Sequence, residues 1–202
     1  MFRLYHRPMA GRPVRAAWIL EEAGAPFEIV RLSMDETRAD DHLERHPLGR
    51  VPVLEDDDGV LYESAAVCLH IADSLPEAGL IPPLGSHERG LVYQWVLFAM
   101  TEIEPAFLPL LPNRTTEPAA ADAARALLRE RLAVLERALE GRTFLVGDDV
   151  TVADVVVGSL AADIVGLGHG DGFPAIAAWV ERLEARPARA RAVAAAGIPA
   201  AA

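Results

Sequence analysis

Residues Leu4–Gly24 read LYHRPMAGRPVRAAWILEEAG, and this stretch decides how the first part of the chain folds. Its opening, FRLYH when extended back to Phe2, has the apolar and aromatic content of a short strand. The segment GRPVRAAWILEEAG then reads as an amphipathic helix, with Pro13 at a favourable first position and Gly24 as its stop. A strand, a tight loop and a helix in that order aim free N–H groups at a small anion. Yet the loop holds no serine, cysteine or threonine, so no side-chain hydroxyl or thiol is offered there.

Downstream, FEIVRL (Phe27–Leu32) is a second strand candidate, followed by a polar stretch, Ser33–Gly49, with room for a short helix. VPVLEDDDGVLY (Val51–Tyr62) has two short apolar runs around an acidic, glycine-containing turn, which predicts a hairpin. ESAAVCLHIADSL (Glu63–Leu75) opens another helix. Strand, helix, strand, short helix, hairpin, helix makes a small α/β sandwich with a mixed sheet.

From Pro76 to Gly90 the chain is rich in proline and glycine and reads as a linker, and everything after it is helical in pattern. One long helix runs from Glu88 toward Leu111, with a kink or end expected near Pro105 and Pro109. Pro118–Gly141 is strongly periodic, Val150–Gly168 is apolar enough to be a buried central helix, and Pro174–Pro187 forms a further helix. The tail from Ala188 is weakly specified and expected to fray. The domain reading is therefore residues 1–77, a linker over 78–88, and an all-helical part over 89–202.

At 202 residues, 51% of them hydrophobic and 24% charged, the chain can bury a core and is not disordered. No apolar run approaches the roughly 20 residues of a membrane helix, and no secretory signal is recognisable, so a soluble, cytoplasmic protein is expected. The net charge of −11 argues against nucleic-acid binding. All 19 bases are arginine, which excludes a lysine Schiff base and leaves guanidinium groups to hold carboxylates. Cys68 is the single cysteine, so an internal disulfide, a thiol-rich zinc cluster and a C-x-x-C pair are excluded. The six histidines show no metal-ligand spacing, and no metal is expected.

Four pieces in order, Leu4–Gly24, HPLGRVPVLEDDDGVLYES (His46–Ser64), ESAAVCLHIAD, and FLVGDDVTVADVVVG followed by FPAIAAWVERLEARP, resemble the cytosolic glutathione transferases of bacterial type over essentially the whole length. The resemblance implies a thioredoxin-like α/β domain followed by an all-α helical bundle, and a homodimer. It implies that Pro52 is cis, that Val51 pairs its main chain with the cysteinyl part of glutathione, and that Arg50 contacts the peptide. It places the γ-glutamyl carboxylate on Ser64 and the ammonium group on Glu63. On residues alone, Ser64 is equally an N-cap. Arg38 and His42 lie in the loop where some classes hold the glycine carboxylate. Thr151-x-x-Asp154 matches a capping box whose role is folding.

Family members stabilise the glutathione thiolate with a strand tyrosine or a loop serine, cysteine or threonine. Here the loop position falls on Ala10 or Gly11, which have no donor side chain. Three substitutes remain: the helix start at Gly11 and Arg12, the Arg12 guanidinium, and Tyr5. Arg12 is the favoured one, Arg15 is read as structural or interfacial, and Cys68 and Trp18 as buried packing. Met9, Phe98, Glu102 and Phe107 are candidates for the pocket of a small hydrophobic electrophile. The implied activity is a glutathione transferase, with glutathione as co-substrate. The alternative is a glutathione-binding carrier or regulator with little catalysis, because the usual hydroxyl is missing.

Overall fold

The computed structural model describes residues 1–8, 11–112, 114 and 117–197. The chain divides into two compact units, one formed by Met1–Ile81 together with the segment from Ala185, the other by Pro82–Glu184.

In the first unit four strands form one mixed sheet in the order β2-β1-β3-β4. They are β1 (Phe2–His6), β2 (Phe27–Arg31), β3 (Val53–Glu55) and β4 (Val60–Tyr62). β1 and β2 run parallel, joined by α1 (Arg12–Glu22), while β3 and β4 form the expected antiparallel hairpin. Leu4 lies between Ile29 and Leu54 in register, so its side chain starts the core on the face covered by α1 and by α3 (Ser64–Ser74). Trp18, Ile71 and Cys68 complete that core. The polar stretch after β2 forms one short 3-10 turn and α2 (Asp40–Arg45).

The direction of the strands decides where function can sit. β3 is antiparallel to β1, with Tyr5 opposite Val53, and β4 returns with Tyr62 opposite Val53. The loop leaving β1, the segment entering β3 and the chain leaving β4 therefore emerge at the same end of the sheet.

The second unit is helical. α4 (His87–Phe98) starts at Ser86, whose Oγ accepts the Arg89 N–H at 3.1 Å. The helix does not run straight to Pro105. It widens into a π turn over Ala99–Ile103, with the Glu104 N–H reaching back to the Ala99 carbonyl, before α5 (Glu104–Phe107). Pro105 has no N–H for the Thr101 carbonyl, and its ring crowds the preceding turn, so the distortion begins upstream of the proline itself. α6 (Pro118–Leu139), α7 (Val152–Gly166) and α8 (Pro174–Glu184) follow, and α7 is buried along most of its length, as its apolar pattern implies.

The tail does not fray where it is described. It forms α9 (Pro187–Ala195), which packs on α1 in the first unit although it follows the helical region in the chain. Arg186 grips Glu22 at 2.6 and 2.8 Å, Arg191 meets Glu21 at 2.5 Å, and His6 Nε2 donates to the Ala196 carbonyl at 2.8 Å. These partners lie about 160 to 190 positions apart in the chain, out of reach of any local pattern.

Candidate functional site

Three segments converge at the functional end of the sheet. The first is the start of α3. Leaving β4, the chain turns at Glu63 with φ 70° and ψ 108°, a left-handed backbone that among the described non-glycine residues only Glu63 adopts. Such a conformation costs on the order of 1–3 kcal/mol and concentrates at ligand sites. Ser64 then opens the helix, buried at 4% exposure. The first helical bond of α3 is from the Val67 N–H to the Glu63 carbonyl at 2.9 Å, so the N–H groups of Ser64, Ala65 and Ala66 have no acceptor within the helix. No acidic side chain stands in that first turn. A hydroxyl, three N–H groups and a neighbouring carboxylate form a receptor for a group that carries both charges.

Beneath Ser64 lies Arg15, fully buried, with Nη1 donating to the Ser64 Oγ at 3.4 Å. An arginine on the otherwise apolar face of α1, flanked by Val14, Ala16 and Trp18, was the available signal for this role, and composition alone did not reveal its partner. Cys68 donates to the Arg15 carbonyl at 3.6 Å. Burial pushes its thiol up to about 12, against the opposing pull of the Arg15 charge. The thiol is inert packing, and a mechanism through a cysteine of this chain is closed.

The second segment enters β3. The Val51–Pro52 bond is cis, as the resemblance implies. Pro52 is buried, Val51 half-buried and Arg50 exposed. The Arg50 carbonyl accepts a hydrogen bond from His42 Nε2 at 2.9 Å. His42 is itself buried, not free in the loop to meet a carboxylate. Gly49, with φ 58°, has no room for a Cβ, which would fall 2.5 Å from the Thr37 carbonyl oxygen. His46 is buried against the Tyr62 ring at 4.7 Å, and desolvation lowers its pKa while the Glu63 charge opposes.

The third segment is the loop after β1. Met9 and Ala10 lie outside the described residues. Gly11 caps α1 with φ 90° and ψ −136°, a backbone suited to glycine and strained for serine or cysteine. Gly11 is one of the two positions, with Ala10, where family members carry their hydroxyl or thiol. Arg12, half-buried, is the first residue of α1, and Pro13 supplies no N–H.

Tyr5 lies at this end of the sheet but points to its other face. With Arg3 it faces the α2 side of the sheet, lining a cavity of about 450 Å³ with Glu28, Val30, His42 and Arg45. Its hydroxyl donates to Glu55 Oε2 at 2.5 Å, and the Arg45 guanidinium covers its ring at 4.6 Å. Burial, then the Glu55 bond, raise the phenol pKa. Of the acceptor-pocket candidates in the second unit, Phe98 meets Trp95 edge-on at 5.7 Å, and Glu102 in the π turn pairs with Arg131 at 3.0 Å. Phe107 is buried against His169. Among the described residues no cluster of His, Cys, Asp and Glu could hold a metal ion, and no helix is long and apolar enough to cross a membrane.

Comparison with known proteins agrees with this fold. Residues 1–73 match the glutathione S-transferase N-terminal domain and residues 98–187 the C-terminal domain. The chain is 34% identical to the probable glutathione S-transferase GSTF2 of Oryza sativa subsp. japonica, over 92% of each chain. Among solved structures it superposes on a glutathione transferase from Methylococcus capsulatus str. Bath with a TM-score of 0.88 at 34% identity, covering 98% of this chain and 99% of that one. A sphingomonad glutathione S-transferase complexed with glutathione gives a TM-score of 0.86 at 31% identity, covering 98% of this chain and 100% of that one. By both domain matches and by these full-length relatives, the chain belongs to the glutathione S-transferase family.

Proposed function

We propose that this enzyme binds glutathione at the end of the sheet where α1, β3 and α3 begin, and delivers its sulfur, as a thiolate, to a small hydrophobic electrophile. The observation that carries the reading is the start of α3, where the strained Glu63 backbone leads into buried Ser64 and three N–H groups without helical acceptors. Ser64 and those N–H groups receive the γ-glutamyl carboxylate, and Glu63 the ammonium group. Val51 pairs its main chain with the cysteinyl unit, and the Arg50 guanidinium meets a peptide carboxylate. This order places the sulfur toward Gly11 and Arg12. There the cation and the helix start favour the thiolate over the thiol, whose unassisted pKa is about 8.5. The thiol proton leaves to solvent, the sulfur lone pair forms the S–C bond, and the leaving group departs with its electron pair.

A second reading, a glutathione-binding carrier with little turnover, is favoured by two observations: Gly11 offers no side chain, and the Tyr5 hydroxyl is committed to Glu55. Calorimetry with reduced glutathione and a chlorodinitrobenzene assay separate the two. Saturable binding with turnover supports the transferase, and saturable binding without turnover the carrier. No saturation at millimolar glutathione ends both. Ser64→Ala is expected to weaken binding roughly ten-fold, about 1.4 kcal/mol, the scale of one hydrogen bond to a charged group. The family likeness also supports a homodimer acting in the cytoplasm, and sedimentation at micromolar concentration tests the dimer.

A further inference from the structure

His42 performs a task that neither the residue pattern nor the family likeness assigns. A carbonyl oxygen only accepts, so the 2.9 Å contact between His42 Nε2 and the Arg50 carbonyl requires the hydrogen on Nε2. The same residue accepts the His46 N–H with its own carbonyl at 2.8 Å. His42 thus fastens both ends of the 46–50 loop to α2. The loop has little freedom elsewhere: the Gly49 N–H bonds the His46 carbonyl at 2.8 Å, and the Leu48 N–H bonds His46 Nδ1 at 3.2 Å. The Gly49 backbone is pressed so close to Thr37 that no Cβ fits.

A peptide unit is planar, and in a trans unit the C=O and N–H point in opposite directions. The Arg50–Val51 unit is not among the cis bonds. Drawing the Arg50 carbonyl toward buried His42 therefore turns the Val51 N–H away from α2. Resting on the binding mode given under Proposed function, we infer that His42 is a positioning residue for glutathione: through one rigid peptide plane it aims the Val51 N–H at the cysteinyl unit. Without the bond, the plane can rotate, and the donor is no longer held in place before the ligand arrives. The loss falls on binding, because the Val51 main chain meets glutathione and not the electrophile.

The test compares His42→Gln, whose amide nitrogen can reach the same carbonyl, with His42→Met, which keeps bulk and removes the donor. Glutathione affinity is measured by calorimetry, kcat at saturating glutathione by turnover, and the Val51 amide resonance is followed during titration. The expected result is a Kd about ten-fold weaker in His42→Met with kcat within two-fold, a Val51 resonance no longer shifted on titration as in wild type, and a Kd in His42→Gln within three-fold of wild type. A wild-type Kd in a folded His42→Met, or a loss of kcat without a change in Kd, overturns the inference. If His42→Met fails to fold, His42→Gln decides: near-wild-type affinity with the Val51 shift supports the positioning role, and lost affinity in a folded His42→Gln overturns it. Wild-type protein that binds no glutathione overturns the binding mode itself, and the two failures are thereby distinguished.

Discussion

At the residue scale the question is what replaces the missing hydroxyl, and two side chains separate cleanly. The Tyr5 phenol is engaged by Glu55 and covered by Arg45, and burial makes it harder to ionise. Arg12 stands at the first position of α1, beside a glycine whose backbone disfavours any side chain. Tyr5→Phe is expected to leave glutathione-dependent turnover within about two-fold of wild type, since it removes a bond on the far face of the sheet. Arg12→Met is expected to raise the pKa of the bound thiol by about one unit and lower turnover at neutral pH roughly ten-fold. The pH profile of turnover, with thiolate absorbance in the ultraviolet, checks both. A large loss in Tyr5→Phe with binding intact would move the role to the phenol. Pro52, Glu63 and Ser64 were named through the family resemblance carried by the motifs around them, since on residues alone Ser64 is equally an N-cap. The roles of Arg15 and His42 were not legible, because what matters in each is a partner that only folding brings close.

At the element scale, α7 shows how one buried carboxylate organises a helix start. Asp154 Oδ2 accepts the Thr151 N–H at 2.9 Å and the Thr151 hydroxyl at 3.1 Å, while Oδ1 accepts the Leu145 N–H at 2.9 Å and the Trp179 indole N–H at 3.2 Å. The Thr-x-x-Asp spacing announces the first pair. The other two tie a loop and α8 to the same atom, and no local rule contains them. Asp154→Ala leaves four donors wanting and is expected to cost on the order of 3 kcal/mol or more, read as a lowered denaturant midpoint with glutathione affinity unchanged. α9 makes the converse point. Its local pattern is weak, and its order comes from the arginines that reach Glu21 and Glu22 and from Arg189, whose guanidinium lies 5.3 Å over the Trp18 ring. Deleting the chain from Ala185 onward is expected to uncover buried Trp18. It should shift the tryptophan emission to longer wavelength and lower the melting temperature by several degrees, and unchanged emission would show that α1 needs no such cover.

At the scale of the whole molecule, two buried histidines make stability depend on pH. Desolvation lowers the pKa of both His6 and His46 below the usual 6.5. A depressed histidine favours the neutral form in the native state. Its contribution is complete above the unfolded value and declines as pH falls through 6.5 toward the folded value. The slope is at most about 1.4 kcal/mol per pH unit for each histidine. Melting temperature measured from pH 7.5 down to 5 is expected to fall, and more gently in a His6→Gln, His46→Asn double variant. Equal slopes would remove these two groups from the acid response.

Read by itself, the sequence determined the element order from β1 to α3, the mixed sheet, the hairpin and the apolar α7. These follow from periodicity, proline and glycine placement and caps, which act within a few residues of each other. Local rules wrote the helix start at Ser64 and the strand entry at Pro52, and the family resemblance singled them out as a site. Tertiary structure alone decided that Tyr5 points to the α2 face of the sheet, that Arg15 lies under Ser64, and that α9 returns to α1. Each of these depends on burial or on a partner far along the chain. The local pattern sets which face a side chain can take, and only the assembled core sets what it meets there.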